Sequence, residues 1–92
     1  MTGSGRLVFR VHALRRMFQR GIAAEDVRDV FMTGETLEEY PEDAPEPSRI
    51  VLGRASNRPL HVVVADDAEA IVITVYEPDP RRWDADFKRR VE

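Results

Sequence analysis

The strongest hydrophobic pattern in the chain lies between residues 59 and 78, where two apolar runs are joined by a short acidic turn. Side chains alternate between two faces along a strand, so the pairing register decides which residues are buried together. If Ala65 lies opposite Ala70, one face of this predicted hairpin is entirely aliphatic: Leu60, Val62, Val64, Ile71, Ile73 and Val75. The other face mixes polar and apolar groups: His61, Val63, Val72, Thr74 and Tyr76. The first face is suited to covering a core, and the second is where we look for chemistry.

Two amphipathic helices are predicted ahead of this hairpin. Residues 12–20 and 24–32 carry apolar side chains at helical spacing, and each segment is followed by a glycine, Gly21 or Gly34, where helices commonly end. Glu25 and Asp26 fall in the first turn of the second segment, where negative charge is favourable. The side chains that we expect to face the core are Leu14, Met17, Phe18, Val27, Val30 and Phe31.

The remaining elements complete an α+β pattern. Residues 7–11 are a first strand or a lead-in, residues 35–40 an edge strand, and residues 50–53 a further strand before the hairpin. A proline-rich acidic loop separates the last two, because proline opposes a helix there. We expect one domain over residues 6–92, with two N-terminal helices packed on an antiparallel sheet of three to four strands. Residues 1–5 are predicted to be a flexible leader, and Trp83 and Phe87 to lie in a short C-terminal helix or tail.

Composition narrows the classes of function. The 92-residue chain has no cysteine, so it has no disulfide and no thiolate chemistry. It lacks a long apolar run and a signal-peptide pattern, which favours a cytoplasmic protein without a membrane span. The net charge of −3 hides a segregation: residues 1–20 hold five arginines and no acid, whereas residues 21–46 hold nine acids and one arginine. A locally basic but globally acidic protein can bind nucleic acid with one face and a basic partner with another, although the same residues can simply be solvated.

Two groups of residues are candidates for chemistry. On the first predicted helix, His12, Arg16 and Arg20 form one polar stripe, which can hold a phosphodiester and carry a proton, or can be a plain solvated face. On the hairpin, His61 is expected near Thr74 and diagonal to Tyr76, where His61 and Tyr76 can serve acid–base chemistry or be hydrogen-bonded structural residues. Two histidines far apart in sequence do not form a metal motif, and we expect neither a metal nor a cofactor.

Several ordered motifs resemble a known family. HALRRMFQRGI, EEYPEDAPEPSRIVLG, RPLHVVVA, ITVYEPD and the tail pattern W-x3-F-K-x-R look like bacterial domain-of-unknown-function family number 4258. The family motifs map onto His12, Arg16, Arg20, Tyr40, Pro41, Asp43, Pro47, Ser48, Leu60, His61, Tyr76 and Pro78. One departure is Ala23, where a serine or threonine helix cap is expected. The resemblance implies an α+β fold similar to RelE- or barnase-like toxins, some of them messenger-RNA interferases, whose genes commonly neighbour an antitoxin-like partner.

The resulting hypothesis is a toxin-like, metal-independent ribonuclease in which the RNA 2′-hydroxyl attacks the phosphodiester. Its catalytic candidates are His12, His61 and Tyr76, and its phosphate-binding candidates are Arg16, Arg20 and Arg49. The expected partners are RNA, an antitoxin-like protein and a second copy of the chain. The alternative is a non-enzymatic protein-binding or regulatory module. An open, basic face around His61 favours the ribonuclease, and a face covered by residues 83–87 favours the module.

Overall fold

The chain forms a mixed α+β domain whose sheet has helices on one side and the C-terminal segment on the other. The computed structural model describes residues 7–91; the predicted leader, residues 1–5, lies outside them. In chain order the elements are β1 (Leu7–Phe9), α1 (Val11–Arg20), α2 (Ala24–Thr33), β2 (Glu35–Tyr40), β3 (Ser48–Ala55), β4 (Arg58–Asp66) and β5 (Ala70–Tyr76). Neither helix is long and apolar enough to cross a membrane within this part of the chain.

The sheet is larger than predicted and is not purely antiparallel. Its strand order is β1-β5-β4-β3-β2, with antiparallel neighbours from β2 to β5 and β1 parallel beside β5. The prediction of three to four antiparallel strands is therefore corrected to five strands with one parallel edge. β1 pairs through only three residues, Leu7 to Phe9. A run of three residues is too short to show the alternation of a strand, so β1 is defined only by its pairing with β5.

Both helices pack on the same face of the sheet, α1 against β5 and α2 against β3 and β4. The buried core between the layers comprises Leu7, Ala13, Met17, Ile22, Val27, Val30, Val51, Ala55, Leu60, Val62, Val64, Val72 and Val75. Two predicted core residues of α1 are instead exposed, Leu14 at 46% and Phe18 at 87%. Because α1 contacts chiefly one strand, only a narrow stripe around Ala13 and Met17 is buried, and the rest of its apolar arc faces outward.

A β-bulge changes the predicted alternation of β5. His61 pairs with Tyr76 and Val63 with Thr74, but the register then shifts, so that Val64 faces Val72. One extra residue in a strand reverses the side-chain alternation beyond it. Val72 is consequently buried in the core rather than on the chemical face, whereas Ile71 and Ile73, which were predicted for the core face, are only partly buried and lie outside the core. The predicted pairing of Ala65 with Ala70 is wrong, because Ala65 faces Ile71.

The C-terminal segment is a folded tail without a helix in its described part, residues 77–91. Trp83 is buried and makes a single antiparallel bridge to Arg90. The Asp84 carboxylate accepts the backbone N–H groups of Asp86 and Lys88, which closes a turn where the spacing of Trp83 and Phe87 predicted a helix. Of the two forms predicted for the C-terminal segment, a short helix or a tail, the structure has the tail.

Glycine is required where α2 approaches β3. A Cβ atom at Gly34 would lie 2.3 Å from the Leu52 carbonyl oxygen, which belongs to rigid backbone. We expect Gly34→Ala to lower the free energy of unfolding by about 1–3 kcal/mol, the usual range for overpacking a tight contact. Urea unfolding measures this, with Met32→Ala as a control at an exposed position of the same helix. Equal stability of the two variants would show that the end of α2 and β3 can move apart to make room for the added methyl group.

The start of α2 lacks a side-chain cap. Ala23 occupies the N-cap position in extended conformation, and its methyl side chain cannot accept a hydrogen bond from the free N–H groups of the first turn. A serine there supplies that acceptor, so Ala23→Ser should raise the free energy of unfolding by about 1 kcal/mol. Thermal or urea unfolding tests it; an unchanged midpoint would mean that water already satisfies these donors equally well.

Candidate active site on the sheet face opposite the helices

A histidine–tyrosine pair lies under the tail on the face opposite the helices. His61 on β4 and Tyr76 on β5 are cross-strand partners, with Nδ1 of the histidine 3.3 Å from the tyrosine hydroxyl. The Trp83 ring meets the imidazole edge-on, with the ring centroids 4.4 Å apart. His61 is 0% exposed, whereas Tyr76 is partly exposed. The imidazole is therefore a buried support, and the phenol is the group that can meet a ligand.

The hydrogen bonds of His61 define its tautomer. Nε2 lies 2.9 Å from the Phe87 carbonyl oxygen, which can only accept. Nε2 therefore carries the hydrogen, and in the neutral ring Nδ1 is the acceptor. It follows that the Tyr76 hydroxyl donates its hydrogen to Nδ1, which orients the phenol.

Burial keeps both groups neutral. It lowers the pKa of His61 below its ordinary value of 6.5, although the Phe87 carbonyl opposes this change. Burial also raises the pKa of Tyr76, while the positive charge of Arg90 opposes it. The pair thus holds a phenol that keeps its proton at neutral pH beside an imidazole that resists protonation.

A second, more exposed group borders this pair. Glu38 and Tyr40 project from the same face of β2, and the Tyr40 hydroxyl donates to the Glu38 carboxylate. The Arg90 guanidinium lies 3.5 Å from the same carboxylate and 4.8 Å from the centre of the Trp83 ring. The bond to Glu38 raises the pKa of Tyr40, and the bond to Tyr40 raises the pKa of Arg90.

The two groups form one electrostatic unit. The charges of Arg90 and Glu38, together with Tyr40, influence the pKa of Tyr76, and the charges of Arg90 and Glu38 also influence that of His61. We call these five residues, Glu38, Tyr40, His61, Tyr76 and Arg90, the sheet-face cluster. It combines a carboxylate, a guanidinium and two phenols around a buried imidazole. Such a set can accept a proton, donate a proton and stabilise a developing negative charge without further groups.

Of the residues predicted for the site, only His61 and Tyr76 belong to this cluster, while Tyr40 was named as a family-motif position without a role. Glu38 and Tyr40 are two residues apart in a predicted edge strand, and this spacing, which places them on one face, was an available signal. Arg90 is the last residue of the tail pattern W-x3-F-K-x-R, but it is also one of five basic residues in the tail, and the pattern gave it no role. Its position depends on the path that the tail takes over the sheet.

The candidates on α1 lie on the other side of the sheet. His12 and Arg16 are exposed on the helix, so the two imidazoles do not share a site. Arg20 is different, because its guanidinium donates to the Val75 carbonyl at 2.6 Å, next to Tyr76 in sequence. β1 pairs with residues 70–72 only, so this end of β5 is a free edge and Arg20 occupies it. One end of the polar stripe therefore reaches the rim of the sheet beside Tyr76.

Arg49 does not join the cluster. Its Nε lies 3.0 Å from Asp66, and its Nη1 donates to the Thr36 hydroxyl at 3.1 Å. The guanidinium also lies over the Phe31 ring of α2. These contacts connect neighbouring strands to the helix layer, which is a structural use of the side chain.

No metal motif accompanies the cluster. Among residues 7–91, no three or more histidine, aspartate or glutamate side chains are grouped so as to hold a metal ion.

Comparison with known families places this domain. The model of the family described as "Domain of unknown function (DUF4258)" matches residues 9–77. The chain belongs to this family. Within the family domain lie Glu38, Tyr40, His61 and Tyr76, whereas Trp83 and Arg90 follow the matched segment. No curated protein and no solved structure matches the chain.

The burial of His61 in the family domain has a consequence for stability at different pH values. Because its pKa is lowered by folding, the unfolded chain binds a proton more readily, and stability falls as the pH drops below about 6.5. Urea unfolding of the wild type between about pH 5.5 and 8 should show this loss, with a slope of at most about 1.4 kcal/mol per pH unit from this residue.

Two histidine variants test whether His61 is the source of this pH dependence of stability. His61→Gln should flatten the dependence in this range, because glutamine does not titrate. His12→Gln serves as the control, because it makes the same replacement at an exposed position of α1. Parallel curves for the wild type and His61→Gln would contradict the assignment.

Proposed function

We propose that the protein is a metal-independent ribonuclease that cleaves RNA through attack of the 2′-hydroxyl on the adjacent phosphodiester. The observation that carries the proposal is the contact of Glu38 with Tyr40 and Arg90 beside the His61–Tyr76 pair. A carboxylate base, a cation and a phenolic acid on one face are the groups that this reaction needs. The proposal moves the site from the histidines to the exposed members of the sheet-face cluster.

In the proposed reaction, each group has one task. The Glu38 carboxylate accepts the proton of the 2′-hydroxyl as its oxygen bonds to phosphorus, and the Tyr76 hydroxyl gives its proton to the leaving 5′-oxygen. The products are a 2′,3′-cyclic phosphate and a 5′-hydroxyl. Arg90 lies where it can stabilise the charge that develops on the phosphoryl oxygens.

His61 has a positioning role in this scheme. Its Nδ1 holds the Tyr76 hydroxyl in place, and its neutral state leaves the hydroxyl hydrogen on the phenol. During reaction this hydrogen turns from Nδ1 to the leaving oxygen. Proton transfer into the imidazole is disfavoured, since the ring is buried and a charge there would be desolvated.

The basic stripe of α1 is proposed to hold the RNA backbone outside the cluster. Arg20 lies at the free edge of β5 next to Tyr76, and Arg16 and His12 continue the stripe along the exposed helix. A strand that follows this stripe reaches the rim of the cluster. Backbone contacts of this kind supply affinity without sequence selectivity.

The biological setting proposed is a toxin–antitoxin pair, in line with the resemblance of the motifs to RelE-like toxins. An antitoxin-like protein would then control the ribonuclease. This part rests on analogy between folds, which indicates a function less directly than a site does.

A second function is favoured by the complete burial of His61 beneath Trp83 and Phe87, because a face covered by residues 83–87 is the arrangement expected of a binding module. In a non-enzymatic binding module, His61 and Trp83 would be packing residues, and the imidazole could be covered without loss of function. In that case the hydrogen bond to Phe87 serves only to hold the tail on the sheet.

Cleavage of RNA by the purified protein in EDTA tests the first function, with and without ribosomes. Tyr76→Phe and Glu38→Gln should each reduce the rate by about 10²-fold or more, the usual contribution of a general acid or base. Arg90→Gln should lower the rate in the same direction, and His12→Ala should weaken RNA binding more than it slows cleavage.

Matched controls lie next to two of these positions in sequence. Glu39→Gln and Arg89→Gln remove the same charges from neighbouring exposed residues and should cleave like the wild type. Folding of every variant is checked by circular dichroism. Absence of cleavage in all conditions, or full activity of Tyr76→Phe and Glu38→Gln, would reject the ribonuclease in favour of the binding module.

A further inference from the structure

The outer side of α1 carries an apolar stripe that nothing covers in residues 7–91. Val11, Leu14 and Phe18 are exposed at 64%, 46% and 87%. Their spacing of three and four residues places them on one side of the helix, as a continuous ridge. We call these three residues the α1 stripe. Exposed apolar residues grouped in this way are typical of interaction sites.

The charges around the α1 stripe have one sign. Arg10 and Arg15 border it, and no aspartate or glutamate occurs between residues 7 and 24. Neither arginine has an ion-pair partner among the residues that the structure describes. The surface thus presents an apolar ridge with uncompensated positive margins.

The positive charge beside the α1 stripe favours a partner with negative charge. A second copy docking the same stripe across a two-fold axis would bring arginines against arginines, with no acid on either helix to compensate. A helix with an apolar face and acidic margins is complementary to the α1 stripe in hydrophobicity and to its arginines in charge. Helices that dock along a ridge or groove present anchors at the same spacing as the α1 stripe.

We propose that the α1 stripe is the docking surface for an acidic amphipathic helix of a partner protein, with Phe18 as the central anchor and Arg10 and Arg15 as its charged margins. The surface lies on the helix side of the sheet, away from the sheet-face cluster. The inference goes beyond the ribonuclease and does not depend on it, because it concerns different residues and binding rather than cleavage.

A designed peptide serves as the probe. It has about 16 residues, enough to form a helix alone, with leucines at the spacing of the α1 stripe and glutamates on both margins. The control peptide carries lysines in place of the glutamates. Fluorescence anisotropy should show binding of the acidic peptide only, and the binding should weaken when salt is raised from about 50 to about 500 mM.

Variants locate the contact. Phe18→Ser should weaken binding at least about tenfold, as expected for the loss of a buried aromatic anchor. Arg15→Gln should weaken it less and reduce its salt dependence, and Met32→Ser, which removes an exposed apolar side chain from α2, should leave it unchanged. Because Phe18 is exposed, its replacement should not disturb folding, which circular dichroism checks.

Other occupants give different results. Equal binding of both peptides, or binding unaffected by Phe18→Ser, would overturn the proposal. Sedimentation that shows self-association lost in Phe18→Ser would assign the surface to a second copy instead. Binding to vesicles of phosphatidylglycerol that is lost in the same variant, without peptide binding, would assign it to a lipid surface. RNA cleavage by Phe18→Ser is measured in parallel, so that failure of this proposal is separate from failure of the ribonuclease.

Discussion

The hydrogen bond from the His61 ring to the Phe87 carbonyl is the contact on which the chemical face of the sheet depends. It holds the tail across the sheet, and Trp83 and Arg90 come into place with the tail. The same bond commits Nε2 as the donor and leaves Nδ1 to receive the Tyr76 hydroxyl. A single buried imidazole thereby joins three separate parts of the chain. Without such a partner for each nitrogen, burying the ring would cost free energy rather than order the site.

The two faces of the sheet have different physical tasks. The helix face is closed by aliphatic side chains, and α2 approaches β3 so closely that Gly34 and Gly53 are needed. Among residues 7–91, the opposite face is covered by a tail of turns, which leaves Tyr76, Tyr40 and Glu38 partly exposed beside Arg90. Stability therefore comes mainly from one side and the candidate chemistry lies on the other. This separation lets polar groups collect on the second face without weakening the core.

The end of α1 links these two sides. The Arg58 guanidinium donates to the carbonyls of Arg20 and Gly21 and lies 3.6 Å from Glu77. Unpaired carbonyls at a helix end are stabilised by such a cation. The contact ties the helix terminus to the strand that leads into the tail. Arg20 itself lies at the free edge of β5, where the basic helix reaches the chemical face.

The hydrophobic pattern by itself determined the α+β class, both helices, the central hairpin and, along β4, the opposite facing of His61 and the aliphatic Leu60, Val62 and Val64. These follow from local periodicity, which each segment carries in its own side chains. Tertiary structure decided the parallel β1 edge, the bulge that buries Val72, the exposure of Phe18 and the arrival of Arg90 beside Glu38. Each of these depends on contacts between residues distant in sequence. Periodicity specifies which side of an element is apolar, but only packing specifies what, if anything, lies against it.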